Sequence, residues 1–274
     1  MSGDAAARLL LYPPATFLVG CLGLLWLDRG AGDEALQRRV AVWGLVASLL
    51  LLFSVCARAL VQAWSVFGNE LTIESFQRVA LESRWGKRWL WQLRAVPIIL
   101  AGYLLMRRAP RPGSALAGLG LLALFAALPL TGHAASDAPL RAAQSLHAAG
   151  GALWVGTLIL VLLLGGAQRT KLLLRFAPVA TVSVAGMLLG AAVLSWRTLP
   201  DLQSLWTSPW GRWWSVKVSA VAVMLALGAR NWRRLRRAGA TNDVPSSAAA
   251  EAILGTFVLL ITAFLTSTGQ PGME

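Results

Sequence analysis

The chain contains two histidines, His133 and His147, one on either side of a single short polar stretch between two long apolar segments. Imidazole titrates near physiological pH and, when neutral, binds copper, zinc, iron and nickel. The residues between them include Ser136, Asp137 and Pro139, a connection short enough for the two rings to approach one another. A shared metal or proton-exchange site at one mouth of the molecule is therefore the sharper reading. A hydrogen-bonded structural role for each histidine is the plainer one. Beyond His147 the sequence continues with Gly150, Gly151, Trp154 and Gly156, whose small members let a neighbouring backbone pack closely.

Two imidazoles do not complete a typical metal shell, so softer donors matter. Met187 and Met224 fall near the middle of apolar segments, and Cys21 and Cys56 lie within the first and second of them. Thioether and thiolate suit Cu(I), and a ladder from outer histidines to buried sulfurs would be a sensible inward path. Ordinary apolar packing is the competing reading for each sulfur. Neither cysteine lies in a paired motif, and their expected burial argues against a disulfide framework.

The elements that must carry these residues follow from composition. Hydrophobic residues make up 57% of the chain, charged ones 14%, and the mean hydropathy is +0.62. A soluble helical core would still need charged outer faces on its helices, which the long apolar runs lack. Crossing ~30 Å of hydrocarbon takes roughly 20 apolar residues. Eight such segments occur, near 11–27, 40–63, 89–107, 114–130, 143–164, 176–196, 213–230 and 250–267. The first opens with Tyr12-Pro13-Pro14, so it is expected to begin deeper or tilt less, and the second is a candidate for a kink near Ser54. The first run has no small-residue cleavage site after it and reads as an uncleaved helix. The expected fold is all-α, a transmembrane bundle of about eight helices forming one integral membrane domain over 1–274.

The formal charge of +13 suggests nucleic acid only until the basic residues are sorted by loop. Those after the first, third, fifth and seventh segments are rich in arginine and lysine, ending with Arg230, Arg233, Arg234, Arg236 and Arg237. The opposite side is sparser, and its one rich loop also holds Glu70, Glu74 and Glu82. Basic loops stay cytoplasmic, so both termini are expected to be periplasmic, with lipid headgroups rather than nucleic acid as partners of the arginines. Trp85, Trp89, Trp91, Trp206, Trp210, Trp213 and Trp214 all fall at the outer boundary on this topology. Two of these clusters, Arg84-Trp85-Gly86-Lys87-Arg88-Trp89 and Pro209-Trp210-Gly211-Arg212-Trp213-Trp214, enter helices that soon carry a base, Arg94 or Lys217. The chain can thus be read as two diverged halves, 1–112 and 113–274; convergent interface anchoring is the alternative.

Charges within the membrane are costly unless paired or hydrated. Arg94 and Lys217 either snorkel to the outer boundary or line a route. Glu251 can cap the last helix or pair with Arg230 or an arginine beyond it. Asn231 can satisfy a helix terminus, and Thr266, Ser267 and Thr268 supply hydroxyls where that helix reaches the outer face.

In their order and placement these residues resemble the CopD family of copper-resistance membrane proteins, including the membrane part of YcnJ-like copper importers. The resemblance is clearest over about 131–271. It is carried by Thr131-Gly132-His133-Ala134, Ser145-Leu146-His147 running into Ala152-Leu153-Trp154-Val155-Gly156, Trp210-Gly211-Arg212 followed by Lys217, Ala229-Arg230-Asn231, Ala250-Glu251-Ala252, and Thr266-Ser267-Thr268 before Pro271. It implies an inner-membrane, non-enzymatic protein that moves copper inward, commonly receiving it from a periplasmic CopC-type carrier. Copper binding would fall to His133 and His147, with Lys217, Asn231 and Glu251 as pattern positions of unknown duty. The chain departs from the pattern in lacking a CopC-like domain and a methionine-rich external loop, and in placing Gln92 where a base is expected. No Gly-Lys-Ser/Thr phosphate cradle is present, so ATP-driven pumping by this chain is not expected. Two other readings stay open: a haem-bearing redox protein with His133 and His147 as axial ligands, and a copper-binding membrane partner that transports nothing.

Overall fold

Capping residues set where the helices begin. Asp33 accepts the Leu36 amide at 3.0 Å and opens the second long helix, and Asp137 accepts the Leu140 amide at 3.0 Å and opens the fifth. The computed structural model describes residues 3–29, 32–199, 201, 203–238 and 246–265, and these contain helices and no strand. The long helices are α1 (Gly3–Leu27), α2 (Glu34–Phe67), α3 (Arg84–Met106), α4 (Pro110–Ala127), α5 (Ala138–Leu163), α6 (Gly166–Thr198), α7 (Pro209–Ala238) and α8 (Ser246–Leu265). Each overlaps one of the predicted apolar segments. The first six are long and apolar enough to cross a membrane, and α8 carries a shorter apolar stretch, Ala249–Thr262. α7 also holds Arg212, Lys217 and an arginine-rich end, which lower its hydropathy. The protein is a multi-span α-helical membrane bundle.

Two expectations are corrected. α1 does not begin at its prolines but runs through Pro13 and Pro14. A proline inside a helix leaves the carbonyl four residues earlier without its usual donor. For Pro14 that carbonyl belongs to Leu10, and the Ser54 hydroxyl reaches it from α2 at 2.8 Å. The same hydroxyl lies 2.7 Å from the Leu50 carbonyl within α2, which continues through Ser54 as one helix.

α1 is the axial helix of the bundle, packing on α2, α4, α5, α6 and α8. Its approach to α5 depends on glycine: a Cβ on Gly20 would lie 2.4 Å from the Gly156 carbonyl carbon. Across α1 from that seam, the Tyr103 hydroxyl of α3 donates to the Leu18 carbonyl at 2.6 Å, and its ring fills the notch left by Gly44 of α2.

The two tryptophan-rich entrances share one local construction. Ser83 and Ser208 each accept the amide three residues on, from Gly86 and Gly211, at 2.9 Å in both cases. Each serine hydroxyl also donates backward to a carbonyl, Val79 at 2.6 Å and Ser204 at 2.7 Å. Both glycines press against that preceding turn, so neither has room for a Cβ. Counting on from the two glycines, Gln92 in α3 occupies the place that Lys217 takes in α7.

Candidate functional site

The connection between α4 and α5 is built from two single turns, Leu128–Thr131 and His133–Ser136, joined at an extended Gly132. Local bonds hold the second turn against α5. The Arg141 guanidinium donates to the Ala135 carbonyl at 2.7 Å, and the Ser145 hydroxyl reaches back to the Phe125 carbonyl of α4 at 3.0 Å. Asp137 also pairs with Arg197 at the end of α6, 3.6 Å away. The backbone carrying His133 thus rests on the first turns of the helix carrying His147. The side chain of His133 lies outside the described residues.

His147 is half-buried on α5, and its Nδ1 lies 2.9 Å from the Met187 carbonyl of α6. A carbonyl can only accept, so Nδ1 carries the proton and donates. In the neutral ring the lone pair then sits on Nε2, the arrangement that second-shell bonding gives to metal-binding histidines. The contact exists because α5 and α6 approach closely at glycines. A Cβ on Gly190 would fall 2.5 Å from the Ala143 carbonyl and 2.7 Å from the His147 amide; one on Gly150 would fall 2.5 Å from the Ser183 carbonyl. Gly150 was singled out in the sequence for this kind of packing, whereas its partner Gly190 was not.

Below His147 the same face of α5 continues through Gly151 and Val155. The sulfur of Met187, itself buried, lies 3.8 Å from where a Gly151 Cβ would stand. One turn further, the terminal carbon of buried Met224 and the Val155 methyls both meet the notch at Gly255 of α8. Both methionines therefore lie along the seam that descends from His147. Lys217, half-buried on α7, lies within electrostatic reach of the imidazole.

Deeper still is a carboxylate. Glu251 is 4% exposed and accepts a hydrogen bond from the Asn231 amide of α7 at 3.2 Å and another from the Trp154 side chain of α5. Gly228, one turn beyond Met224 on α7, faces it; a Cβ there would lie 3.1 Å from Glu251 Oε1. Three positions named separately in the sequence, Trp154, Asn231 and Glu251, thus form one buried network. Glu251 sits inside α8, bonded to neutral donors, while Arg230 is exposed.

Other positions lie apart from this site. Arg94 is exposed and stacks 4.9 Å from the ring centre of Trp91, also exposed, which is how an indole holds a cation at a membrane boundary. Cys21 is buried in the first half of the chain and is hydrogen-bonded with Tyr103. Cys56, expected to be buried, is exposed on α2, because its position turns it away from the faces that meet α1 and α3. Thr266, Ser267 and Thr268 lie outside the described residues. Among the described residues no group of three or more His, Cys, Asp and Glu side chains is placed to hold a metal. Thioethers such as those of Met187 and Met224 lie outside that group and belong to the soft class of ligand.

A buried polar link that sequence reasoning missed lies in the first half. Arg58 of α2, only 4% exposed, donates through Nη1 to Gln92 Oε1 at 3.0 Å, and Gln92 has no solvent exposure. The Gln92 amide passes the link on to the Thr131 hydroxyl at 3.0 Å and the Ala127 carbonyl at 3.2 Å. A lone arginine deep within the 40–63 segment was the available signal.

The fold defines a polytopic helical membrane protein, with the His147 imidazole bonded through Nδ1 to a neighbouring helix. Comparison with protein families sharpens this. The family described as Copper resistance protein D matches residues 170–265, and the Copper resistance protein D-like N-terminal domain matches residues 2–143, so the chain belongs to the copper resistance protein D family. It is a multi-pass protein of the bacterial inner membrane. His133 falls within the N-terminal match and Lys217, Asn231 and Glu251 within the other, while His147 and Trp154 lie between the two. Comparison with curated proteins and with solved structures gives no match.

Proposed function

We infer that this chain moves copper inward across the membrane, capturing it at a periplasmic mouth on His147 and His133 and passing it through the bundle. It acts as a transporter rather than an enzyme, with eight crossings and both termini periplasmic, as the loop charges and tryptophan positions indicate. The observation that carries the reading is the His147 Nδ1 bond to the Met187 carbonyl, which leaves Nε2 available to a metal. Met187 and Met224, in sequence down the same seam, supply soft donors beyond the entrance. Copper is the cargo here. A CopC-type periplasmic carrier supplies it, and net flux follows gradients or cytosolic binding, since the sequence carries no Gly-Lys-Ser/Thr motif.

The imidazole binds metal only when neutral, so capture weakens as pH falls. The test is copper flux into proteoliposomes holding wild type, His133→Ala or His147→Ala. Wild-type flux with at least a tenfold loss in both variants is expected. Unchanged flux and copper stoichiometry in both would reject the site, and absent wild-type flux despite bound copper would reject transport in favour of a static binding partner. Haem absorption in the purified protein would reject copper as the cargo.

A further inference from the structure

The entrance proposed above has two walls, and α5 to α8 account in full for only one. The His147 wall has Lys217 within electrostatic reach. The other wall, the turn leading to His133, is reached from the first half of the chain by the buried link Arg58–Gln92–Thr131. Gln92 stands where the α7 entrance has Lys217, so the first half places a neutral amide there and brings its cation from α2. That cation is fixed: Arg58 lies against the Trp85 ring at 5.8 Å, Trp85 stacks on Trp89, and the Trp89 indole donates to the Val55 carbonyl at 2.9 Å, back on α2.

The link ends on the turn that leads to His133. Thr131 accepts from Gln92 and donates to the Leu128 carbonyl at 3.2 Å, closing the turn Leu128–Thr131. Arg88 adds a contact from α3 to the Leu130 carbonyl at 3.4 Å, and the Gln92 amide also holds the Ala127 carbonyl at the end of α4. Each of these acceptors precedes Gly132, which ties the two turns together: its amide donates to the Pro129 carbonyl at 3.2 Å and its carbonyl accepts the Ala135 amide at 3.1 Å. What holds Thr131 thus bears on the turn that begins at His133 from one side, as Arg141 does from the other.

We propose that Arg58 and Gln92 are positioning residues for the copper entrance, acting through the Thr131 hydroxyl to hold the His133 turn in place. The proposal rests on the copper-entrance reading for its functional half and on the structure alone for its mechanical half. A membrane-buried arginine is costly to keep, and this one is spent on fixing a loop rather than on touching cargo.

The variant Thr131→Val keeps the shape of the side chain and removes the hydroxyl; Thr131→Ser restores it. The full chain in nanodiscs would be followed by amide hydrogen exchange over residues 128–136 and by titration with Cu(I) alone. Exchange across the segment should rise in Thr131→Val and return to wild type in Thr131→Ser, with apparent copper affinity falling by roughly fivefold in the valine variant only. In a His133→Ala background the valine change should still raise exchange but cost no further affinity. Unchanged exchange in Thr131→Val would overturn the link. Raised exchange with copper affinity intact, where His133→Ala weakens it, would overturn the positioning role. If His133→Ala itself leaves affinity intact, it is the His133 part of the entrance reading that fails, and exchange still decides the link. Gln92→Leu serves as a second variant and should match Thr131→Val in exchange.

Discussion

At the scale of single residues, the chemistry of this protein is a matter of which atoms are already occupied. His147 has one ring nitrogen bonded to the Met187 carbonyl and one that this bond leaves as an acceptor, which is what the proposed ligand role requires. Glu251 differs in that its carboxylate receives donors from two other helices. Removing it by Glu251→Ala leaves the Asn231 and Trp154 donors facing a cavity, a loss of about 1–3 kcal/mol. Glu251→Gln keeps an acceptor and should cost less. Thermal unfolding of the purified protein orders the variants, with wild type above glutamine and glutamine above alanine; an alanine variant as stable as wild type would show that the network contributes nothing. The residue types of this network were legible in the sequence. Their convergence was not, because residues 154, 231 and 251 are brought together only by helix packing.

At the scale of elements, glycines decide how near the helices come and hence whether His147 can reach α6. Gly190→Ala would set a methyl against the Ala143 carbonyl and the His147 backbone, atoms that cannot yield cheaply. Overpacking of this kind costs about 1–3 kcal/mol. The same insertion would push His147 from the Met187 carbonyl, so copper affinity should fall along with the unfolding temperature. Gly186→Ala on the same helix meets only the flexible end of Leu146, 3.2 Å from the added carbon, and should change little. Equal effects from the two substitutions, read by unfolding and copper titration, would argue against a close approach at Gly190. Helix positions could be read from apolar run length, which is why all eight segments recur. The prolines of α1 were misread because the bond that rescues the Leu10 carbonyl comes from Ser54, a residue of another helix. Cys56 was misread because hydropathy gives depth along the membrane but not which face of a helix meets protein and which meets lipid.

At the scale of the molecule, two sets of helices meet around one connection. α5, α6, α7 and α8 hold His147, the methionine seam and the Glu251 network, while α2 and α3 reach the Leu128–Thr131 turn that precedes His133. The two histidines and the similar tryptophan-rich helix starts were legible in the sequence, yet the link to the Leu128–Thr131 turn depended on Arg58, which hydropathy absorbed into an apolar segment. The account rests on His147 as a metal ligand above a sulfur-lined seam. X-ray absorption at the copper edge, on the full chain loaded with Cu(I), tests this most directly. Histidine nitrogen scattering in the wild type that is lost or reduced in His147→Ala, with sulfur scattering diminished in Met187→Leu, is the predicted result. Spectra and copper content unchanged by His147→Ala would contradict the account.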